Sequence, residues 1–303
     1  MTKVAIFGST GMIGSTVARH FSTLNYEITE FNRVGSPIVA KNQVVKFDAL
    51  TDDLSPVLAK LGPGTVVINL IGMIRHKIDE ASETSKLEAK KVNSMFPRNL
   101  VGEAKNLGFK VIQIATDCIY SGNSGRYSET SKADPIDIYG LSKLEGEFSA
   151  NNLLTLRVSV VGNEHGTKVE LLEWVLAHPL NSEISGFVNH LWNGVTSLQF
   201  AKIVSGAIDH SENLIGTYHV VPDGKASKFE LIREIAELSN RPDLRILETE
   251  ASNAVDRTLI TNYAKINENL WLNAGYTVLP TIRIMLEEYF EWNALSNLGD
   301  IST

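Results

Sequence analysis

Lys3-Val-Ala-Ile-Phe7-Gly8-Ser-Thr-Gly11-Met-Ile-Gly14 reads as a strand, a glycine-rich turn and the start of a helix. Residues 3–7 are rich in strand formers, and Ile13, Val17, Ala18 and Phe21 then recur at helical spacing. A chain that passes from strand to helix through glycines brings backbone N–H groups and the positive end of a helix to one point. That point suits a pyrophosphate. The spacing is Gly-x-x-Gly-x-x-Gly, not the Gly-x-Gly-x-x-Gly of most dinucleotide-binding turns. Gly8, Thr10, Gly11, Met12, Ile13 and Gly14 are the candidate cofactor residues of this turn.

Downstream, the pattern repeats. Tyr26–Phe31 is a second strand and ends in Asn32-Arg33. An NAD site usually places an acidic residue there for the ribose 2′-hydroxyl. Asn32 is neutral, and Arg33 either pairs with a 2′-phosphate or is a surface residue. The pair favours NADP(H) over NAD(H). Val44–Phe47 is a third strand, with Asp48 and Ala49 at its end, where the adenine would lie. Thr65–Leu70 is a continuous apolar run, as in a buried parallel sheet, followed by Ile71, Gly72 and Arg75. Arg75 either meets substrate or faces solvent. Lys86–Leu107 reads as one long helix carrying Asn93, with Pro97 tolerated or marking a break. Lys110–Ile114 is the fifth strand, with Thr116 just beyond it. Five strands alternating with helices predict a doubly wound parallel α/β sheet with ligands at its carboxyl edge.

Asp134 to Glu147 reads as a helix, with Asp134 as its cap and Pro135 in its first turn. Tyr139 and Lys143 are four apart and share a face. An ammonium beside a phenol favours the phenolate, so the tyrosine pKa is expected to fall towards neutrality. Such a tyrosine passes protons to or from an alcohol or ketone oxygen.

The second half is less regular. Leu154–Val158, Glu183–Val188 and Tyr218–Val221 are strand candidates; Val169–His178, Lys228–Ser239 and Thr281–Trp292 are helix candidates. Glu164–Thr167 reads as a turn, Asn189–Thr196 as a polar and aromatic loop, and the tail from Asn297 as disordered. The expected division is a cofactor domain over 1–162, joined by parts of 189–210, and a smaller α/β substrate lobe over 163–303.

The 303 residues are 43% apolar and 21% charged, with a net charge of −7 and no basic block. This argues against sequence-independent nucleic-acid binding. No apolar run reaches membrane-span length, the first strand leaves no room for a signal peptide, and Cys118 is the only cysteine. A cytoplasmic protein with no disulfide is expected. The seven histidines show no metal-ligand spacing, so no metal is expected.

The glycine turn, Thr116-Asp117 and Tyr139-x-x-x-Lys143 together resemble an extended short-chain dehydrogenase/reductase. Ala115-Thr-Asp-Cys-Ile-Tyr-Ser-Gly122, Ile138-Tyr-Gly-x-Ser142-Lys-Leu-x-Gly-Glu147 and Leu156-Arg-x-Ser159 are similar to the dTDP-4-dehydrorhamnose reductase family. The resemblance runs from Val4 to about Tyr289 and is weaker in the second half. It implies a Rossmann domain, a nucleotide-linked 4-keto-6-deoxy sugar as substrate, and a pathway making deoxysugar or polysaccharide precursors. A homodimer is allowed. Tyr139 would be the general acid, Lys143 its partner and ribose ligand, and Thr116 a donor to the reacting oxygen. Arg75, Cys118, Asn189, Trp192 and Arg257 are the further substrate candidates. Trp192 is alternatively a packing anchor. Where the family has Tyr after Thr-Asp and Trp after Arg-Thr-Ser, this chain has Cys118 and Val160. Both family residues face the sugar, so rhamnose specificity is in doubt. Two other readings are an NDP-sugar epimerase on the same fold and a cofactor-binding regulatory subunit without turnover.

Overall fold

The computed structural model describes residues 1–164, 170–211 and 213–299. β1 (Thr2–Phe7) runs into α1 (Met12–Phe21), whose Val17, Ala18 and Phe21 face the core. β2 (Tyr26–Asn32), β3 (Gln43–Lys46), α2 (Ser55–Leu58), β4 (Val66–Asn69), α3 (Glu83–Lys90) and α4 (Phe96–Asn106) follow. Then come β5 (Lys110–Ala115), α5 (Ile138–Glu145), β6 (Leu153–Arg157), β7 (Val160–Val161), α6 (Leu171–Leu176), β8 (Glu183–Phe187), β9 (His190–Trp192) and β10 (Val195–Thr196). α7 (Ser197–His210), β11 (Gly216–His219), β12 (Ala226–Ser227), α8 (Lys228–Leu238), β13 (Arg245–Thr249), β14 (Val255–Asp256), α9 (Ala264–Asn273) and α10 (Ile282–Gly299) complete it.

Seven parallel strands form the main sheet in the order β11-β6-β5-β4-β1-β2-β3. The winding reverses between β1 and β4, which opens a crevice at their carboxyl ends. Helices cover both faces. On one, α1 packs against α7, burying Val17, Phe21, Phe200 and Ile203. On the other, Phe7, Phe31, Phe47, Phe96 and Leu100 form the core, with Phe7 and Phe31 stacked at 4.2 Å. α7 and β11 return from the second half of the chain to this sheet. The smaller α/β region is built on β8 paired with β13, and on β9 between β12 and β14, with α6 and α8 alongside. Among the described residues no helix is long and apolar enough to cross a membrane.

Several elements differ from the sequence expectations. The single helix over 86–107 is α3 and α4 joined by one π-helical turn, Lys91–Met95. Pro97 sits in the first turn of α4, where its missing N–H is tolerated. The helix expected from Asp134 begins at Ile138, capped by Asp137, whose Oδ1 accepts from Gly140 N at 2.7 Å. Asp134 is not the cap, because the chain stays non-helical through Asp137 and the Asp134 carboxylate is engaged elsewhere. It accepts instead from Ser121 N and Oγ at 2.8 and 2.7 Å. The loop expected over 189–196 contains two short strands, β9 and β10. The helix expected over 169–178 is shorter, and Val169 lies outside the described residues, as does most of the turn expected over 164–167. α10 continues to Gly299, through the start of the tail expected to be disordered; residues 300–303 lie outside the description.

Candidate active site

The crevice holds two cavities that share Leu70, Ile71 and Gly72 at the end of β4. The first, about 450 Å³, is lined by Gly8, Thr10, Gly11, Asn32, Arg33, Asp48, Ala49, Ile71 and Gly72. The second, about 290 Å³, is lined by Met12, Ile13, Arg75, Thr116, Cys118, Tyr139 and Lys143.

The glycines of the first turn do different work. Gly8 has φ +89°, and a Cβ there would lie 3.0 Å from the backbone of Leu70 and Ile71. A Cβ on Gly14 would lie 2.0 Å from the Gly8 carbonyl oxygen, so this glycine packs α1 onto β1. Gly11 is constrained by neither: its Cβ would meet only Gly8 O at an ordinary 3.5 Å, yet it lines the cavity. Its bareness serves what enters the cavity. α1 begins there with no side-chain cap and no acidic residue in its first turn, so its N–H groups and positive end suit a pyrophosphate. These residues fit a dinucleotide.

At the end of β2, Asn32 is 3% exposed and its amide is committed to the protein. Nδ2 donates to Ser9 Oγ and Ser36 O at 2.9 and 3.0 Å, and Oδ1 accepts from Gly35 N at 2.8 Å. Asn32 shapes the wall, and Arg33, which is exposed, is the cationic side chain there. Asn93 does not line either cavity. It stands behind the β4 loop, accepting from Met73 N at 2.8 Å and donating to Met73 O and Ser142 Oγ, both at 2.9 Å. The π turn carries Asn93 and Ser94 to α5, where Ser94 Oγ donates to Ser142 O at 2.7 Å.

α5 is pressed against the rest of the site at two glycines. A Cβ on Gly140 would lie 2.3 Å from Cys118 O, and one on Gly146 2.0 Å from Asn93 O. The first contact sets Tyr139 beside the turn after β5, where its hydroxyl is hydrogen-bonded to Thr116. Thr116 Oγ1 also donates to Asp117 Oδ1 and accepts from Cys118 N, both at 3.2 Å. Lys143, 8% exposed, donates to Ile114 O at 3.2 Å. Burial lowers its ammonium to about 8. The expectation that Tyr139 would have a lowered pKa is overturned. Burial first, then the neighbouring Cys118, raise it, and they outweigh its hydrogen bond to Thr116.

A family model described as the RmlD substrate binding domain matches residues 2–294. The chain belongs to that family. It is 24% identical over 282 residues to a dTDP-4-keto-6-deoxy-D-glucose reductase of Streptomyces niveus, covering 90% of this chain and 91% of the relative. It is 25% identical over 272 residues to methionine adenosyltransferase 2 subunit beta of Xenopus tropicalis, covering 84% and 78%. The fold superposes on a crystal structure of dTDP-4-dehydrorhamnose reductase from Bacillus anthracis in complex with NADP with a TM-score of 0.76. That match has 22% identity and covers 96% of this chain and 99% of the other.

Within this RmlD-type chain the remaining expected substrate residues do not all converge. Arg75 lines the second cavity but is also paired with Asp137 at 3.2 Å. Asn189 lines neither cavity: its amide clamps Ala251, accepting from N at 3.0 Å and donating to O at 2.8 Å. Trp192 is a packing anchor, 5% exposed, and its Nε1 donates to Ser159 Oγ at 2.9 Å; Ser159, not Trp192, faces the cavity. Arg257 also lies outside the cavity lining; its Nε donates to Tyr120 O at 2.9 Å and its charge acts on buried Asp117 and on Cys118. Sequence reasoning gave no role to Ser159, quoted only within a motif, and did not single out His76 or Glu170, which with it line the second cavity, or Lys228, whose charge reaches Asp117, Cys118 and Glu170. No motif marks the last three; only the fold brings them to the cavity of Tyr139.

Proposed function

We propose that this protein is an NAD(P)H-dependent reductase of a nucleotide-linked 4-keto-6-deoxy sugar. The observation that carries the reading is the gathering of Thr116, Tyr139 and Lys143 in a cavity that adjoins the uncapped start of α1. Gly8, Thr10, Gly11, Met12 and Ile13 would hold the dinucleotide pyrophosphate, with Gly14 letting α1 pack close beneath them and Asp48, Ala49, Ile71 and Gly72 along the adenosine half. The bound nicotinamide supplies a hydride to the ketone carbon. As charge develops on the ketone oxygen, Tyr139 gives it a proton and Thr116 donates a hydrogen bond to it. The raised pKa of Tyr139 has the right sign for this direction: a general acid must still hold its proton when the hydride arrives. Lys143, largely charged near neutrality, stabilises the phenolate left behind. Arg33 supports a preference for NADP(H). In this reading residues 1–162, with α7 and β11, form the cofactor half, and most of 163–303 forms the sugar-nucleotide half.

The deciding experiment is NADPH oxidation, followed by absorbance, with dTDP-, UDP- and GDP-linked 4-keto-6-deoxy sugars. Consumption with one member is expected, and Tyr139→Phe should remove most of it while leaving NADPH affinity unchanged. Tyr139→Phe at wild-type turnover would sink the assignment. The similarity to the Xenopus subunit favours one other reading, a cofactor-binding regulatory partner. That reading is selected if NADPH binds but no panel member is reduced.

A further inference from the structure

The second cavity contains two proton-bearing side chains that the reduction does not use. Cys118 follows Thr116 on the turn after β5, and Glu170 stands at the N-terminal end of α6. Both line the cavity with Tyr139 and Lys143. They sit on different elements of its wall, and both exert their charge on Tyr139. The Lys228 ammonium acts on both in turn. Burial raises the pKa of both. Burial, then the neighbouring Glu164, raise the Glu170 carboxyl, against the pull of His76, Lys228 and Lys77, so it is a stronger base than an ordinary carboxylate. Burial and the Asp117 charge push the Cys118 thiol up to about 12, so it keeps its proton.

A ketone at C4 of a sugar acidifies the C–H bonds at C3 and C5, because the electron pair left behind delocalises onto the ketone oxygen. Tyr139 and Thr116 are the donors assigned to that oxygen. We infer that the same cavity also exchanges, and inverts, a carbon centre next to the substrate ketone, with Glu170 as base and Cys118 as acid. This inference rests on the keto-sugar reading above. The Glu170 carboxylate takes the proton from carbon. The C–H electron pair forms a C=C bond, and the carbonyl π pair moves to oxygen, which is held by Tyr139 and Thr116. When the carbonyl reforms, carbon takes the Cys118 S–H proton on its other face. The thiolate regains a proton from solvent and Glu170 releases its own, so no oxidant or reductant is consumed.

The test uses the full-length protein in D2O, without NADPH, with the same panel of 4-keto-6-deoxy sugar nucleotides. Loss of the H3 and H5 signals is followed by proton NMR against an enzyme-free control. One signal is expected to disappear at least about 10-fold faster than in the control. Glu170→Gln and Cys118→Ser, each checked for NADPH binding as proof of folding, should bring that exchange back to the enzyme-free rate. No exchange above control with any panel member overturns the inference, as do variants that exchange at the wild-type rate. NADPH oxidation without exchange overturns the inference alone and leaves the reductase standing. Exchange without NADPH oxidation does the reverse.

Discussion

Gly140→Ala sets two effects of opposite sign against each other. Gly140 lies inside α5, and alanine in a helix interior is favoured over glycine by about 0.8–1 kcal/mol. By propensity alone the variant would be more stable. The added Cβ would however lie 2.3 Å from Cys118 O and 2.9 Å from Pro135 Cβ, and the first of these is backbone that cannot swing aside. Restoring ordinary contact requires α5 and the Cys118 turn to separate by about 1 Å. Overpacking of this kind costs about 1–3 kcal/mol, so the net change is a loss of up to about 2 kcal/mol. With about 2.1 cal/mol/K of unfolding entropy per residue, 303 residues convert that into a Tm lowered by up to about 3 °C. The larger effect is on turnover. Tyr139 and Thr116 sit on the two surfaces that are forced apart, and a misplacement of about 1 Å costs on the order of 100-fold. The assay is a thermal melt alongside NADPH oxidation, with Tyr139→Phe as the floor. A variant with raised Tm and wild-type kcat would refute the reasoning, because it would mean that α5 does not depend on this contact.

Arg33→Ala should weaken NADPH by about 10-fold or more, the value of a charge-assisted contact to a phosphate, and NADH far less. Equal losses in a fluorescence titration would remove the basis for preferring NADP(H). The pH profile of kcat/KM should fall on the alkaline side with an apparent pKa of about 8. Burial disfavours the charged form of Lys143, so the ammonium that supports proton donation by Tyr139 is present below that pH and lost above it. A profile flat to pH 10 contradicts this. Glu147→Ala should cost about 3–5 kcal/mol, or about 5–8 °C in Tm, because Arg157 keeps Tyr120 and His219 as partners but loses its buried carboxylate. A melt within 1 °C of wild type would show the pair to be dispensable.

The first half of the fold was legible because its signals are local. A strand buried on both faces is a continuous apolar run, and a strand-to-helix turn that packs tightly must be glycine, as Gly8 and Gly14 show. What misled the reading was tertiary. Asp134 and Asp137 are both acceptable caps by composition, and Ser121, 13 residues earlier, claims the first. Asn93 carries the donor and acceptor pattern of a ligand-binding amide, and it spends that pattern on Met73 and Ser142. Asn189 and Trp192 sit in a stretch that alternates polar and aromatic residues, and such a stretch does not reveal which side faces the cavity. His76 and Glu170 reach the site from separate elements, where each alone reads as a solvated charge.

The two departures from the family pattern fall together. Cys118 and Val160 stand where the resemblance places Tyr and Trp, and both line the second cavity. Neither side chain belongs to the apparatus that sets Tyr139. That apparatus is held from behind, by Cys118 O against Gly140 and by Asn93 and Ser94 against Ser142, through backbone and buried polar groups that do not involve the side chains at the cavity wall. A thiol and an isopropyl group at these two positions therefore leave the support of Tyr139 intact. They also stand in place of the rings that would otherwise lie along the cavity that Glu170 enters. Cys118 and Glu170 share that cavity with Tyr139, and the D2O exchange experiment reads directly whether they act on the carbon beside the ketone.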